Sequence, residues 1–440
     1  MPPVGPAEPI IASFRPAPTI PTISTPAPAP APAPAAATEP TEPFLKPVSR
    51  PRPGSNPWSY RAPLLLWTLL LQLILYRNSG YSWHFFSDGG TLILGGHPPG
   101  LSQAGGLHLY ANYPQLQFGP LTLLTVVVLL PFTAAGGWMI ASWFMTLSGL
   151  VAAYLVEQLV WTCRPIDADT SRATMATMLI GGVSFLLSWE LLAVHFGHLD
   201  DVLALVLLAA AALATAQRRP VFVGVLLGLA TDAKPWALAC AALLLALPRR
   251  TWWRACASAA LVIGVAWLPF VLADPGTLHA AASFTIPNVP ASALRALGVN
   301  SAATPSWDRL AQLGSGCLLG VLAVLRGRWQ AVIALGIGAR IALDPSVYSY
   351  YTAGLALGLL CWDLIGSRRP LPVTSLVCFV GLTLAPVVVH NAQVLGELRL
   401  WSILLVIAII LVAPSDGVPV LFRWSRRTTN PSVSATGRYR

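Results

Sequence analysis

Charged side chains are scarce in this chain. Only 10% of its 440 residues are charged, whereas 55% are hydrophobic. A soluble globular protein carries about 25% charged residues. The deficit therefore excludes an ordinary soluble domain and indicates a polytopic membrane protein.

Cysteine is rare as well, and its positions exclude two kinds of site. The six cysteines are scattered in or beside apolar segments, and no two of them have the C-x-x-C spacing. Neither a zinc site nor a disulfide framework is indicated, and we expect these residues to act as small buried hydrophobes.

Acidic residues are few, and the net charge is +10. The basic residues form short clusters between apolar runs, which is the pattern of a membrane protein rather than of a nucleic-acid-binding stripe. Membrane lipids are therefore expected partners, and nucleic acid is not.

The start of the chain lacks a secretory signal, because MPPVGPAEPI has no basic stretch followed by an apolar core. Residues 1–56 are dominated by Pro and Ala, with PAPAPAPAPA at 26–35. Such a composition predicts a disordered cytoplasmic tail with polyproline II character, either a spacer or a docking tail. Residues 416–440 are predicted to be a second, basic cytoplasmic tail.

Between the two tails, residues 57–415 predict an all-α polytopic membrane domain. Many of its apolar segments are shorter than the ~20 residues of a perpendicular span. The twelve predicted spanning helices are 62–77, 137–161, 173–191, 201–217, 220–232, 235–248, 255–273, 308–325, 329–343, 350–366, 372–389 and 399–414.

Arginine clusters orient these helices, since basic residues favour the cytoplasmic side. Each cluster is separated from the next by two helices, so all six fall on the same side of the membrane. The clusters are Arg164/Arg172, Arg218/Arg219, Arg249/Arg250/Arg254, Arg326/Arg328, Arg368/Arg369 and Arg423/Arg426/Arg427. Placing Arg61 inside as well requires an even number of crossings before Arg164. The apolar run 119–133 is therefore predicted not to cross, as a re-entrant or interfacial helix.

This topology places the titratable chemistry on the outer face. All seven histidines fall there, with most aspartates, namely Asp88, Asp200, Asp201, Asp232, Asp274, Asp308 and Asp344. Six basic residues also lie there, against the positive-inside trend: Arg77, Lys234, Arg295, Arg309, Arg340 and Arg399.

The stretch from Tyr81 to Pro120 is predicted to be a long polar-aromatic outer loop, and such loops are commonly functional. It contains Asp88 beside the aromatic residues of WHFF. Partial desolvation there would raise the pKa of Asp88 and suit it to accept a proton. The alternative is a solvated acid or a cap for a helix starting at Gly89.

A second constellation is HFGHLDD, which contains His195, His198, Asp200 and Asp201. Two histidines and two acids in seven residues could bind a divalent metal or the hydroxyls of a sugar. The spacing matches no defined metal motif, and a helix N-cap at Asp200 is the alternative.

Two further constellations carry cations. Lys234 in TDAKPW is placed to meet a lipid phosphate, with snorkelling or a pair with Asp232 as alternatives. Arg340 lies one turn below the surface, where a charge is a functional hypothesis by default. Three tyrosines follow it, and an interfacial aromatic belt is their alternative reading: Tyr348, Tyr350 and Tyr351.

In this order, the motifs resemble the GT-C superfamily of membrane glycosyltransferases. They are most similar to the actinobacterial mannosyltransferases that use polyprenyl-phosphate-mannose. The similarity covers roughly residues 60–415 and rests on Asp88, GGLHLYANYPQLQFGPL at 105–121, GHLDD at 197–201, GLATDAKPWAL at 228–238 and RIALDPSVYSYYTAGLALGLLCWDL at 340–364. Gln115 departs from the family pattern, which has a second proline there, and the Asp200–Asp201 doublet is not always present.

The resemblance implies an inverting hexosyltransferase of the cell membrane and cell envelope, with its site on the extracytoplasmic face. It would transfer mannose from a polyprenyl-phosphate donor to a glycolipid or glycan acceptor. Asp88 would be the base, and the donor phosphate and its sugar would meet Lys234, Arg340, Tyr348, Tyr350 and Tyr351. The acceptor or sugar would meet Tyr110, Tyr113, Gln117, His195, His198, Asp200 and Asp201.

No cofactor is required by this reading, although a divalent metal is compatible with it. A transporter or flippase of a lipid-linked substrate is the main alternative, but inverted repeats would be expected of it and none is convincing. A structural subunit of an envelope assembly is a third interpretation.

Overall fold

Seven long apolar helices dominate the computed structural model, which describes residues 57–132, 137–164, 168–367, 369 and 371–412. Both predicted tails, 1–56 and 416–440, lie outside the described residues. By length and composition, the helices able to cross a membrane are Trp58–Asn78, Gly137–Cys163, Arg172–Phe196, Leu199–Ala216, Arg249–Ala273, Asp308–Leu325 and Ala392–Val412. The expectation of an all-α membrane protein is confirmed at this level.

The α-helices follow one another along the whole described chain. They are α1 (Trp58–Leu75), α2 (Trp83–Ile93), α3 (Leu109–Asn112), α4 (Pro120–Leu129), α5 (Gly137–Cys163), α6 (Ala168–Glu190), α7 (Leu199–Ala216), α8 (Pro220–Ala233), α9 (Trp252–Ala273), α10 (Gly276–Ser283), α11 (Ala293–Ala296), α12 (Asp308–Leu325), α13 (Val332–Ala342), α14 (Tyr351–Cys361), α15 (Val373–Cys378), α16 (Ala385–Val388) and α17 (Ala392–Val412).

Tighter and wider helical turns complete the architecture. The 3₁₀ segments are Tyr76–Asn78, Gly106–His108, Leu130–Phe132, Pro235–Ala246, Arg249–Thr251 and Trp329–Ala331, and the π-helical turns are Leu191–Phe196, Trp362–Gly366 and Phe379–Leu384. The described residues contain no strand, and an isolated antiparallel bridge joins Pro287 and Ala303.

Five of the twelve predicted spans are helices shorter than a full crossing. They are Pro220–Ala233, Pro235–Ala246, Trp329–Ala342, Tyr351–Gly366 and Val373–Val388. Twelve crossings therefore stay a prediction. Pro235–Ala246 is a 3₁₀ helix of 12 residues, where runs beyond four are uncommon. Its rise of about 2.0 Å per residue carries the chain further than an α-helix of equal length.

The apolar run 119–133 forms α4 and a following 3₁₀ turn. Thirteen residues of helix, Pro120–Phe132, reach about 20 Å, which is less than the ~30 Å of a hydrocarbon core. The start of α4 is tied to α8, because Gly119 N–H donates to the Ala233 carbonyl at 2.9 Å. Its length agrees with a non-crossing helix, and its orientation in a membrane stays a prediction.

The predicted loop from Tyr81 to Pro120 is wrong over residues 83–93, which form α2. The helix begins at Trp83, so Asp88 lies inside it and does not cap a helix at Gly89. Gly89 and Gly90 of FFSDGG lie within α2 and do not end it. They form the surface of α2 that contacts α4. A Cβ at Gly90 would come within 2.6 Å of Val126 on α4.

Two central helices position the site. Every residue of α14 is buried, and so is every residue of α13 except Arg340. They pack closely because a Cβ at Gly358 would lie 2.3 Å from the Ala334 nitrogen. Arg340 and the Tyr348–Tyr351 segment therefore emerge together at the same end of the bundle.

Candidate functional site

A cavity of about 750 Å³ lies where α2, α7, α12, α13 and α14 meet. This volume is typical of small-molecule sites, which are mostly apolar with a few polar groups. The charged or titratable side chains in its wall are His198, Asp200, Lys234, Asp308, Arg309, Arg340 and Asp344. Three helices, α7, α12 and α13, and the turns beside helices supply these groups, so the fold brings distant motifs together.

HFGHLDD folds into a tight turn that assembles one side of the cavity. Gly197 takes a left-handed conformation, φ 71°, which turns the chain from the preceding π-helical turn into α7. Asp200 follows in the first turn of α7, where its Oδ1 accepts the Asp201 N–H at 2.8 Å. The predicted N-cap at Asp200 is therefore wrong, since the residue before the helix is His198.

Lys234 contacts this acidic pair directly. Its Nζ donates to Asp200 Oδ2 and lies 3.9 Å from Asp201 Oδ2, and only 11% of its side chain is exposed. Lys234 therefore neither snorkels nor pairs with Asp232, the two alternatives to phosphate binding. The neighbouring Trp236 Nε1–H donates to Asp201 Oδ1 at 2.7 Å and fixes that carboxylate.

Two arginines in the cavity wall lack an acidic partner. Among the described residues, no carboxylate lies within 4.0 Å of Arg309 or Arg340. Arg340 donates to the Tyr351 hydroxyl and lies over that ring, 4.2 Å from its centroid. Arg309 Nη2 donates to the Phe284 carbonyl at 2.8 Å and faces Gln117 Oε1 at 3.3 Å. Both guanidinium groups keep donors for an anion.

Two aspartates share this end of the cavity. Asp344 Oδ2 lies 3.4 Å from Arg399 Nη2, and burial raises the pKa of Asp344 to about 6 although Arg399 opposes the shift. Asp308 Oδ2 accepts from Gln312 Nε2 at 2.7 Å, while its Oδ1 has no hydrogen-bond partner among the described residues.

An aromatic wall connects the two groups of charges. Tyr350 stacks on His198 with 3.9 Å between ring centroids, and Tyr348 stacks on Tyr350 at 5.1 Å. Tyr351 meets Tyr350 edge to face at 4.5 Å. Tyr350 and Tyr351 are buried and line the cavity, whereas an interfacial belt would expose them to lipid headgroups.

Asp88 lies apart from the residues that line the cavity. Ser82, Phe85 and Phe86 line the wall, but the half-buried Asp88 does not. It has no side-chain hydrogen bond or ion pair within the described part of the chain. Burial raises the pKa of Asp88, and the nearby His84 lowers it in part.

The predicted acceptor residues divide into two groups. Tyr110 and Gln117 line the cavity together with His198 and Asp200. Tyr113, His195 and Asp201 do not line it. The Tyr113 hydroxyl donates to the Gln103 carbonyl, and His195 Nδ1 lies 3.1 Å from the Asn78 carbonyl.

Sequence motifs missed Arg309 and Asp308 as parts of the site. Both follow a turn that contains Pro305 and belong to no motif, and the only signal for each was a charged residue on the predicted outer side. The described residues also contain one close group of three possible metal ligands, His198, Asp200 and Asp201.

No protein-family model, curated protein or solved structure matches this chain. The case for its function therefore rests on the site itself and on the order of its motifs.

Proposed function

We propose that this chain is an integral membrane glycosyltransferase that moves a sugar, with mannose as the first candidate, from a polyprenyl-phosphate donor to a glycolipid or glycan acceptor. One observation carries the proposal. A single cavity between apolar helices joins two arginines without acidic partners to a wall of stacked tyrosines. Such a site suits a ligand that is anionic at one end and a ring at the other.

The arginines would hold the donor phosphate. Guanidinium groups bind phosphate oxygens through two parallel hydrogen bonds, and a positioned cation stabilises charge that develops on a leaving group. Lys234 is already neutralised by Asp200, so Arg309 joins Arg340 as the main phosphate contact. Lys234 then holds the acidic pair and contributes to the phosphate from further away.

The lipid part of the donor would leave through an apolar side of the cavity. Trp267 on α9 and Leu310 on α12 both line it, and Leu310 is 74% exposed. The helix that contains Trp267 is mostly exposed, because only 11% of its most apolar 18 residues are buried by the rest of the protein. A polyprenyl chain could therefore lie between these helices and the surrounding lipid.

The reaction would be a single displacement with inversion. The acceptor oxygen forms a bond to the anomeric carbon while the bond from that carbon to the phosphate oxygen breaks, and polyprenyl phosphate leaves. The acceptor proton passes to a carboxylate. Asp88 is the proposed base because its raised pKa and lack of bonded partners favour proton uptake. This role requires Asp88 to approach the cavity when substrates bind.

A transfer assay tests the proposal. Purified protein in lipid nanodiscs receives polyprenyl-phosphate mannose with a radiolabelled sugar, together with a membrane lipid extract as acceptor. We expect labelled glycolipid and release of polyprenyl phosphate. A flippase would instead move intact donor across proteoliposomes without consuming it, and that result would replace the proposed function.

A matched pair of variants ties the activity to the cavity. Arg309→Ala should abolish most transfer, whereas Arg77→Ala should not, because Arg77 is exposed and does not line the cavity. Equal activity of the two variants would remove Arg309 from the site.

A further inference from the structure

Three atoms that can bind a metal ion lie close together at a buried position beside the cavity. His198 Nδ1 lies 3.5 Å from Asp200 Oδ1 and 3.7 Å from Asp201 Oδ2. Each of the three side chains offers one ligand atom within 4.8 Å of the other two. The side chains are 14%, 1% and 3% exposed, respectively, so water competes little for these atoms.

Each of these side chains is held by its other polar atom. Asp200 Oδ2 accepts from Lys234, Asp201 Oδ1 accepts from Trp236, and His198 Nε2 is 3.0 Å from Ser82 Oγ. Of the remaining atoms, Asp200 Oδ1 accepts the Asp201 N–H, whereas His198 Nδ1 and Asp201 Oδ2 have no hydrogen-bond partner among the described residues. Outer partners of this kind orient metal ligands in proteins, and a hydrogen bond at the second ring nitrogen sets the tautomer that binds.

The distances from His198 Nδ1 to the two carboxylate oxygens suit ligands of one metal ion better than hydrogen-bond partners. An N–H···O bond would bring Nδ1 to about 2.7–3.2 Å from a carboxylate oxygen. Metal bonds of about 2.0–2.2 Å place neighbouring tetrahedral ligands about 3.4 Å apart. The observed 3.5 and 3.7 Å are close to the second value and outside the first range.

The charges of Asp200, Asp201 and Lys234 also favour a bound metal ion. Lys234 contacts Asp200, but its Nζ stays 3.9 Å from Asp201 Oδ2, too far for a hydrogen bond. Among the described residues, Lys234 is the only Lys or Arg within 4.0 Å of these two buried carboxylates. An uncompensated buried charge is costly, and a bound cation at the unbonded oxygen would remove that cost.

We infer that this chain binds one divalent transition-metal ion through His198 Nδ1, Asp200 Oδ1 and Asp201 Oδ2. One imidazole nitrogen with two carboxylate oxygens at tetrahedral spacing suits Zn²⁺, whereas Mg²⁺ prefers oxygen ligands in octahedral geometry. Mn²⁺ accepts the same types of ligand and serves as the paramagnetic probe. His198 and Asp200 line the cavity, so the open coordination positions face its contents. The inference does not depend on the proposed transfer reaction, since binding is measured without donor or acceptor.

Electron paramagnetic resonance provides the test. The full chain, purified with a histidine-free tag and treated with chelator, is titrated with Mn²⁺. Loss of the free-ion signal counts bound ions, and pulsed measurements detect coupling to an imidazole nitrogen. We expect one ion per chain with nitrogen coupling, and displacement by Zn²⁺, which binds the same ligands.

Three variants complete the experiment. His198→Gln should remove the nitrogen coupling and the stoichiometric binding. Asp201→Asn keeps an acceptor for Trp236 and should weaken binding at least roughly tenfold, while the exposed His97→Gln should bind as wild type does.

Size-exclusion profiles establish that each variant is folded, and Asp201→Asn decides the question if His198→Gln is not. The inference is overturned if neither Mn²⁺ nor Zn²⁺ binds stoichiometrically, or if Asp201→Asn and every folded His198 variant bind as tightly as wild type.

Discussion

Two charged clusters lie at opposite ends of α1, and they differ in whether their charges are matched. At the start of α1, Glu157 accepts from the Tyr60 hydroxyl at 2.6 Å and from two nitrogens of Arg61 at 2.6 and 3.1 Å. Beyond its other end, the cavity keeps Arg309 and Arg340 without acidic partners. A closed cluster stabilises helix packing, whereas one with open donors is suited to a ligand.

A polar network within the helices gives the intermediate case. Thr146 lies between Gln72 Oε1 at 3.0 Å and Glu190 Oε2 at 2.9 Å, and Gln72 also donates to Ser142. Only Glu190 Oε1 lacks a partner among the side chains of this network. The network contains no cation and does not line the cavity, so we assign it to helix association.

The largest expected effect is that of Asp88→Asn, and the matched comparison is Asp308→Asn. Asp88→Asn should lower transfer roughly 10²–10⁴-fold, because the amide cannot accept the acceptor's proton. Asp308→Asn should cost less than about tenfold, since Asp308 is fully buried and bonded to Gln312. Initial rates at matched membrane levels check both. The reverse order would make Asp308 the base.

Arg340→Gln is expected to have the next largest effect. Loss of a cation at the leaving phosphate should lower the rate roughly 10²–10³-fold, as for loss of an oxyanion-type donor. The amount of folded protein should change little, because Arg340 compensates no carboxylate within ion-pairing distance. Single-turnover rates at saturating donor measure the loss. Normal turnover would show that the unpaired arginine is not part of the site.

The closed cluster should respond in the opposite way. Glu157→Gln weakens two charge-assisted hydrogen bonds from Arg61 and should lower stability by about 1.5–3 kcal/mol. Transfer activity per folded molecule should stay near wild type, because Glu157 is remote from the cavity. Thermal unfolding in detergent, combined with activity after removal of aggregates, separates the two readouts. A stable variant with impaired activity would contradict the comparison.

The smallest effect is expected at an exposed pair. His108 Nδ1 lies 3.2 Å from Asp274 Oδ2, and this hydrogen bond lowers the pKa of Asp274. A lowered carboxyl pKa adds stability above the ordinary aspartate pKa, and that stability is lost as pH falls through the folded-state value. Since solvent screens the pair, His108→Gln should leave the neutral-pH unfolding temperature within experimental error. A clear decrease would give this surface contact a structural role.

Several features of the site are predictable from the order of residues along the chain. Residues of HFGHLDD, TDAKPW and the tyrosine segment line the same cavity, and their roles in binding stay predictions. Arg309 had a weaker signal, a basic residue on the predicted outer side. The partners within the site were not predictable in this way. Lys234 is two residues from Asp232 but pairs with Asp200, which is 34 positions away.

The sequence by itself determined that the chain is helical and apolar, and where most helices begin and end. That information is local, because about 20 apolar residues specify a span whatever surrounds them. The tertiary structure alone decided which sides of the helices meet. It left Asp88 outside the cavity wall, packed α2 against α4 at Gly90, and placed two arginines in the cavity wall. Such choices depend on helix rotation and close packing, in which each helix is constrained by neighbours far away in sequence.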